Sequence, residues 1–194
     1  MKNNKQTCSW PKGDPLLLKY HDTEWGIPLH NDKKLFEFLI LEGFQAGLSW
    51  LTILKKRENF RKAFDKFDFN KVATYGQRKI NSLLKDRGII RNKLKVESAV
   101  TNAKAFIAVR KEFGSFNTYI WKFTDNEPIH NRFESMKEIP ARTELSDVIS
   151  KDLKKRGFKF VGSTIVYAHM QATGMVNDHI TSCFRYKEII EKYG

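Results

Sequence analysis

The sequence predicts an all-α fold, and three observations carry that prediction. Capping residues stand just before stretches whose apolar residues recur every three or four positions, as at Asp14-Pro15, Ser49, Asn92 and Ser115. No stretch sustains the period-2 alternation of a half-buried strand. The chain also lacks any Asn-Gly, Asp-Gly or Gly-Gly pair to close a tight hairpin.

Taken in order, Asp14 caps a first helix carrying Leu16, Leu17, Leu18 and Tyr20, which Gly26 and Pro28 break. Asp32 is read as the cap of a second, which holds the most apolar run in the chain, Leu35-Phe36-Glu37-Phe38-Leu39-Ile40-Leu41, and then Glu42. Ser49 opens a third, burying Leu51, Ile53 and Leu54 and leaving Lys55, Lys56, Arg57, Arg61 and Lys62 largely exposed. Asn70 opens a short turn that ends at Gly76. Residues 77–87 are amphipathic through Ile80, Leu83 and Leu84. Residues 92–113 form the longest helical pattern, with Val96, Ala99, Val100, Ala103, Phe106, Ile107 and Phe113 along one side. Ser115 caps a short aromatic helix. Residues 124–142, with Pro128 and Pro140, read as a loop. Helices return over 146–156 and 163–173, and a last helical segment from Asn177 carries His179 and Cys183. The tail after Tyr186 is polar and could be a frayed helix.

The composition narrows the function. Lys and Arg number 35 against 22 Asp and Glu, a net charge of +13, which favours a polyanionic partner, nucleic acid or an anionic membrane surface. No apolar run is long enough to span a bilayer, and residues 1–7 are polar, so a cytoplasmic protein without a membrane segment is expected. In a reducing compartment Cys8 and Cys183 suggest a metal or plain burial before a disulfide.

Four features could carry chemistry. Glu42 has Phe38 and Leu39 on its own helix face, with Gly43, Gln45, Gly47 and Trp50 just behind it. A carboxylate there loses solvation, which suits a pocket for something flat and positively charged; a partly exposed helix end is the plainer alternative. Trp10, Tyr20, Trp25 and Trp50 all lie in the first quarter of the chain and could stack on a base or simply pack a core. His179 and Cys183, four apart, could grip one metal ion together with Cys8 and His21, in a closed structural Cys2His2 site, or be core residues. Finally, five basic residues lie from Lys151 to Lys159, and Gly157 and Gly162 bound a short hairpin between two helices. Gly162 frees backbone N–H groups at a helix start, where the dipole favours a phosphate.

The sequence resembles the 3-methyladenine DNA glycosylase I family. The resemblance rests on Cys8-Ser9-Trp10, Asp14-Pro15, Tyr20-His21-Asp22-Thr23-Glu24-Trp25-Gly26-Ile27-Pro28, Leu41-Glu42-Gly43, Gln45-Ala46-Gly47-Leu48-Ser49-Trp50, Leu54-Lys55-Lys56-Arg57-Glu58-Asn59, Gly88-Ile89-Ile90-Arg91, residues 153–161 and Val176-Asn177-Asp178-His179. These segments span almost the whole chain in one order. They imply a single helix–hairpin–helix glycosylase unit over 1–194, with core helices at about 32–175. The ends, 1–25 and 176–186, would be joined at a structural zinc held by Cys8, His21, His179 and Cys183. They further imply Glu42 as the catalytic residue and Tyr20, Trp50, Trp10 and Trp25 around the base. Gly47 and Leu48 would approach the gap in the DNA, and Lys155, Gly157, Lys159, Gly162, Ser163 and Thr164 would hold its backbone. The implied reaction is release of 3-methyladenine from double-stranded alkylated DNA by a monomer, leaving an abasic site without strand cleavage. The base is expected in a slot between Tyr20 and Trp50. Leu17 departs from the tyrosine that some members carry near the pocket. Where many hairpin relatives have a catalytic Asp, Asn177 stands, with Asp178 one residue away and expected to point elsewhere. A non-catalytic, zinc-stabilised nucleic-acid binder, and an enzyme that also takes 3-methylguanine, are the competing readings.

Overall fold

In the computed structural model, which describes residues 5–194, the second helix is the axis of the molecule. This helix, α2 (Asp32–Gln45), is buried at every position from Leu35 to Phe44. Its apolar run is continuous because helices cover it on all sides. The remaining helices are α1 (Pro15–Thr23), α3 (Trp50–Ala63), α4 (Phe69–Ala73), α5 (Gln77–Lys85), α6 (Lys93–Phe113), α7 (Phe116–Trp121), α8 (Glu144–Lys155), α9 (Ser163–Ala172) and α10 (Phe184–Tyr193). Helix α2 packs on α3, α6, α7 and α9, while α6 also carries α4 and α5. The main apolar core includes Phe36, Phe44, Phe60, Phe106, Phe116 and Trp121. A second cluster, on the Phe38 side of α2, gathers Cys8, Tyr20, Trp25, Leu54, Ala172, Ile180 and Cys183. Residues 1–4, part of the polar stretch read from the sequence, lie outside the described residues.

Several caps fall where the sequence puts them. Asp14 accepts from the N–H groups of Leu16 and Leu17, Ser49 from Thr52, Asn92 from Lys95 and Ser115 from Thr118. Others move. Asn31, not Asp32, caps α2 by accepting from Lys34 N–H at 3.1 Å. The Asp32 carboxylate instead takes the first N–H groups of α7, from Phe116 and Asn117, and the guanidinium of Arg110. Asp68, not Asn70, caps α4. Helix α8 starts two residues earlier than read, with Thr143 and Ser146 bonding each other's backbone in a capping box. Arg57, expected exposed, is buried: it donates to Glu24 at 2.6 Å and to Glu37 at 2.8 Å and lies over the Phe38 ring.

The larger corrections come at the C-terminal end. Asn177 does not begin a helix. Residues Val176–Asn177 (β2) pair in parallel with Ile129–His130 (β1), inside the segment read as a loop, and the chain then runs irregularly to Cys183. Two-residue strands are too short to leave an alternating pattern in the sequence. The tail, which the sequence allows as a frayed helix, is helical, and it buries Ile189 because its apolar face docks on the body of the protein.

On α9, His169 is buried and neither ring nitrogen has a partner. Burial pushes its pKa down to about 4. The unfolded chain takes up that proton near pH 6.5 and the folded chain only near pH 4, so stability falls as pH drops through this window. Replacing His169 with Leu is expected to flatten the acid limb of a stability–pH curve by up to about 3 kcal/mol. An unchanged acid limb by urea titration at pH 7, 5.5 and 4.5 would exclude this residue as the acid sensor.

Candidate active site and metal centre

A cleft of about 400 Å³ opens between the second apolar cluster and α9. One side presents Trp10, Tyr20, Trp25, Glu42, Gln45 and Trp50. Thr164, Tyr167, Ala168 and Gln171 of α9 form the facing wall, and Met136, Ile139, Pro140 and Ala141 of the long loop form the rim. The volume suits a small planar ligand. Helix α2 carries Glu42 and Gln45 one turn apart, α1 supplies Tyr20 and the start of α3 supplies Trp50, so the cluster follows from how three helices cross.

Glu42 is 3% exposed and Oε2 has no hydrogen-bond partner. Burial alone pushes its pKa up to about 8. Without a ligand it is therefore largely a neutral acid at pH 7. Burial, followed by the neighbouring Glu42, also raises Tyr20 well above the ordinary phenol range. The indole N–H groups of Trp10 and Trp50 are likewise buried and unpartnered. A cleft with one bare carboxylate and two idle donors is built for polar groups that a ligand brings.

The Tyr20 and Trp50 rings lie 5.3 Å apart and tilted by 51°. A base sandwiched between two rings needs about 7 Å, two van der Waals contacts deep. The slot read from the sequence between these two residues is therefore closed, and a planar ligand has to stack against the pair. Trp10 sits edge-on to both Tyr20 (6.2 Å) and Trp25 (5.3 Å), extending the aromatic wall. Leu17 is half-buried against this cluster and does not line the cleft.

Of the facing wall the sequence reading names only Thr164, and for the DNA backbone rather than for the cleft. Thr164, Tyr167, Ala168 and Gln171 recur at helical spacing, so the face was legible, but nothing in the sequence said what it faced. Behind it sits Asp178, buried, accepting from Tyr167 Oη (2.6 Å), Gln171 Nε2 (2.8 Å) and Asn131 Nδ2 (2.7 Å). Asp178 therefore points at the back of the cleft wall. Asn177 is fully buried and bonds the Tyr186 carbonyl and the His179 N–H.

Beside the cleft, the turn after α2 leaves Leu48 exposed, following Gly47 at φ +76°. The α8–α9 hairpin turns at Gly157 (φ +89°) and reaches Gly162, which begins α9 with no side-chain cap, leaving its first N–H groups open. Lys155 and Lys159 are exposed, as is Thr164, while Ser163 is half-buried. Arg156, counted with the basic run, is not free to grip a phosphate. It bonds Asp152 and Glu112 and lies over the Phe113 and Tyr119 rings.

The two ends of the chain meet at Cys8, His21, His179 and Cys183, all buried, with their ligating atoms within 4.8 Å of one another. The irregular segment before α10, rather than a shared helix face, sets the positions of His179 and Cys183. His21 Nδ1 faces Asp22 Oδ1 at 2.7 Å, and His179 Nε2 faces the Trp25 carbonyl at 3.1 Å. Both partners only accept, so each imidazole carries its proton on that side. The opposite nitrogens, His21 Nε2 and His179 Nδ1, then turn lone pairs towards each other across 3.1 Å, with Cys183 Sγ 3.6 Å from each. Converging lone pairs without a proton between them repel unless a cation sits among them, so the group could hold a metal ion.

Comparison with known proteins agrees with this architecture. A crystal structure of 3-methyladenine DNA glycosylase I superposes with a TM-score of 0.90 at 49% identity, covering 92% of this chain and 98% of that one. The enzyme of that name from Staphylococcus aureus, solved for its recognition of 3-methyladenine, gives 0.89 at 35% identity, covering 92% and 95%. These likenesses place the fold among the helical DNA glycosylases. Residues 10–186 match the methyladenine glycosylase family model, and the chain belongs to that family. It is 47% identical over 181 residues to DNA-3-methyladenine glycosylase 1 of Escherichia coli, covering 93% of this chain and 97% of that protein. It is 45% identical over 176 residues to the Haemophilus influenzae DNA-3-methyladenine glycosylase, covering 91% and 95%.

Because folded Glu42 holds its proton to about pH 8 and an unfolded Glu releases it near 4.5, stability falls as pH rises between those values. The melting-temperature advantage of Glu42→Gln over the natural protein is expected to be larger at pH 8 than at pH 5. An advantage independent of pH would mean that Glu42 is hydrated.

Proposed function

We propose that this chain hydrolyses the N-glycosidic bond of 3-methyladenine in double-stranded alkylated DNA, releasing the base and leaving an abasic site. The observation that carries the reading is Glu42, a buried carboxyl group with no counter-charge on the floor of an aromatic cleft. Methylation at N3 makes the nucleotide cationic, and the base departs neutral, so the bond is already weak and needs little acid–base help. The protein's task is selection. The damaged nucleotide rotates out of the stack and lies against the tilted Tyr20–Trp50 pair, with Trp10 and Trp25 closing the wall. Its positive charge favours the ionised form of Glu42, which then accepts from the adenine amino edge. An undamaged, neutral base brings no charge to offset burial of that carboxylate, so it is disfavoured. Water attacks the sugar carbon as the base leaves with the electron pair of the glycosidic bond, which makes it neutral, and the proton lost by the water passes to solvent. No lysine lines the cleft among the described residues, consistent with a reaction that forms no covalent link and does not cut the strand.

Around this cleft, Gly47 and Leu48 would enter the space that the base vacates. Lys155, Gly157, Lys159, Gly162, Ser163 and Thr164 would hold the phosphates, as charge and open N–H groups do at a helix start. The proposal takes the chain as a single glycosylase unit acting as a monomer. No described helix is long and apolar enough to cross a membrane. A cytoplasmic location belongs to the same proposal, since a reducing compartment leaves Cys8 and Cys183 available as metal ligands.

The metal is read as zinc. A tetrahedral zinc with ordinary bond lengths sets sulfur and nitrogen about 3.5 Å apart and two nitrogens about 3.3 Å apart. Three of the four sulfur–nitrogen spacings here are 3.6–3.7 Å, the nitrogens are 3.1 Å apart, and all four ligating atoms lie within 4.8 Å of one another. Four protein ligands leave no open position, so the ion's contribution would be to join the chain's ends and steady α1, which carries Tyr20.

Two measurements test the reading. Glu42→Gln is expected to keep duplex binding but to slow release of 3-methyladenine from methylated DNA by roughly 100-fold. Unchanged release would remove the carboxylate from the mechanism, and chromatography of the released bases would show whether 3-methylguanine is freed as well. Elemental analysis is expected to find one zinc per chain, with Cys183→Ser losing both metal and melting temperature; a metal-free protein of full stability would rule out the clamp.

A further inference from the structure

Among the polar side chains that helix α6 buries, Lys95 and Asn102 stand seven residues apart and each reaches the backbone of another element. Lys95 is 7% exposed, and its ammonium donates to the carbonyls of Phe44 (2.9 Å) and Ala46 (2.5 Å), the last turn of α2 just before Gly47 and Leu48. Asn102 is 2% exposed and pairs with both backbone groups of Lys159: its Nδ2 donates to the carbonyl at 3.0 Å, and its Oδ1 accepts from the N–H at 2.7 Å. The next residue, Phe160, is held at φ +54°, a conformation that costs a non-glycine residue free energy unless its surroundings enforce it. Phe160 packs on α2 at Gly43, where a Cβ would reach only ordinary contact, 3.4 Å from the Phe160 Cβ.

We infer that Lys95 and Asn102 are positioning residues that fix the spacing between the Leu48 turn and the α8–α9 hairpin, so that both engage one duplex at the same time. Seven residues of helix are a rigid span of about 10 Å. Each end grips backbone rather than a side chain, so each sets the location of a whole turn. A cation also suits the C-terminal end of α2, where the helix dipole is negative. The inference rests on the reading above of the turn and the hairpin as DNA-contacting elements, and it adds that their separation is set from behind, by a helix that touches neither base nor phosphate.

Double-mutant cycles on the full chain test it. Asn102→Ala is expected to weaken binding to an undamaged duplex about tenfold, and to add less than about twofold in a Lys159→Ala background. Lys95→Met is expected to weaken binding to a duplex carrying a tetrahydrofuran abasic analogue about tenfold, and to add little in a Leu48→Ala background. Binding of free 3-methyladenine, followed by tryptophan fluorescence, stays within about twofold in all four, because the cleft does not depend on that spacing. Amide exchange at Lys159 accelerates in Asn102→Ala. If either variant fails to fold, Lys95→Gln and Asn102→Ser are expected to show the same pattern. Effects that multiply independently, or free-base binding that falls in step with duplex binding, would overturn the inference and leave two ordinary core contacts. Loss of duplex binding in Lys159→Ala and Leu48→Ala but not in Asn102→Ala or Lys95→Met overturns the brace alone. Unchanged duplex binding in Lys159→Ala and Leu48→Ala overturns the DNA-contact reading and the brace with it.

Discussion

A carboxyl group buried without a counter-charge is the constraint around which this protein is arranged. Glu42 lies on a helix covered on all sides, and burial holds its proton well beyond the usual carboxylate range. Such a group is tolerable only where the surrounding structure is stable enough to keep water and cations away from it. The main core, rich in phenylalanine, supplies that stability on one side of α2, and the aromatic cluster excludes solvent on the other. A ligand that carries its own positive charge relieves the imbalance, and a neutral one does not. Selectivity of this kind needs no elaborate catalytic machinery, in keeping with the absence of a water-facing carboxylate at Asn177 and Asp178.

The supports of the cleft come from distant parts of the chain. Helix α1 reaches its place through the meeting of Cys8 and His21 with His179 and Cys183, and the ends are further tied by the ion pair of Lys5 with Glu188 and by the Phe184 N–H to the Gln6 carbonyl. The facing wall is held by Asp178, whose hydrogen bonds to Tyr167, Gln171 and Asn131 join α9 to the long loop on the rim. The elements proposed to meet DNA are fixed in turn by Lys95 and Asn102 of α6. Apart from the exposed Lys5–Glu188 pair, these devices use buried polar groups to hold backbone or ring in one orientation, where apolar packing would leave several nearly equal alternatives.

Much of this was legible in advance. Caps and periodicity located most of the helices, because a cap and its N–H partners lie within a few residues of each other. Glu42 was legible as a candidate because Phe38 and Leu39 share its helix face, a spacing that a partly exposed helix end would show equally well. The misreadings share a different cause. Asp32 looks like a cap for its own helix and serves α7, some eighty residues on. Arg57 looks like one more surface base and is buried between Glu24 and Glu37. His179 and Cys183 have helical spacing and lie on no common helix.

The sequence by itself determined the helical class, the aromatic and acidic residues of the cleft and, through the family resemblance, the reaction. Those depend on side-chain chemistry and on short-range periodicity, which a linear chain displays directly. Only the tertiary structure decided that Tyr20 and Trp50 touch rather than part, that Tyr167 and Gln171 form the opposite wall, that Arg156 is occupied, and that α6 braces the turn and the hairpin. Each of these is a distance between residues far apart along the chain. Such distances are set by how helices cross when their apolar faces are buried together, and no local pattern encodes that.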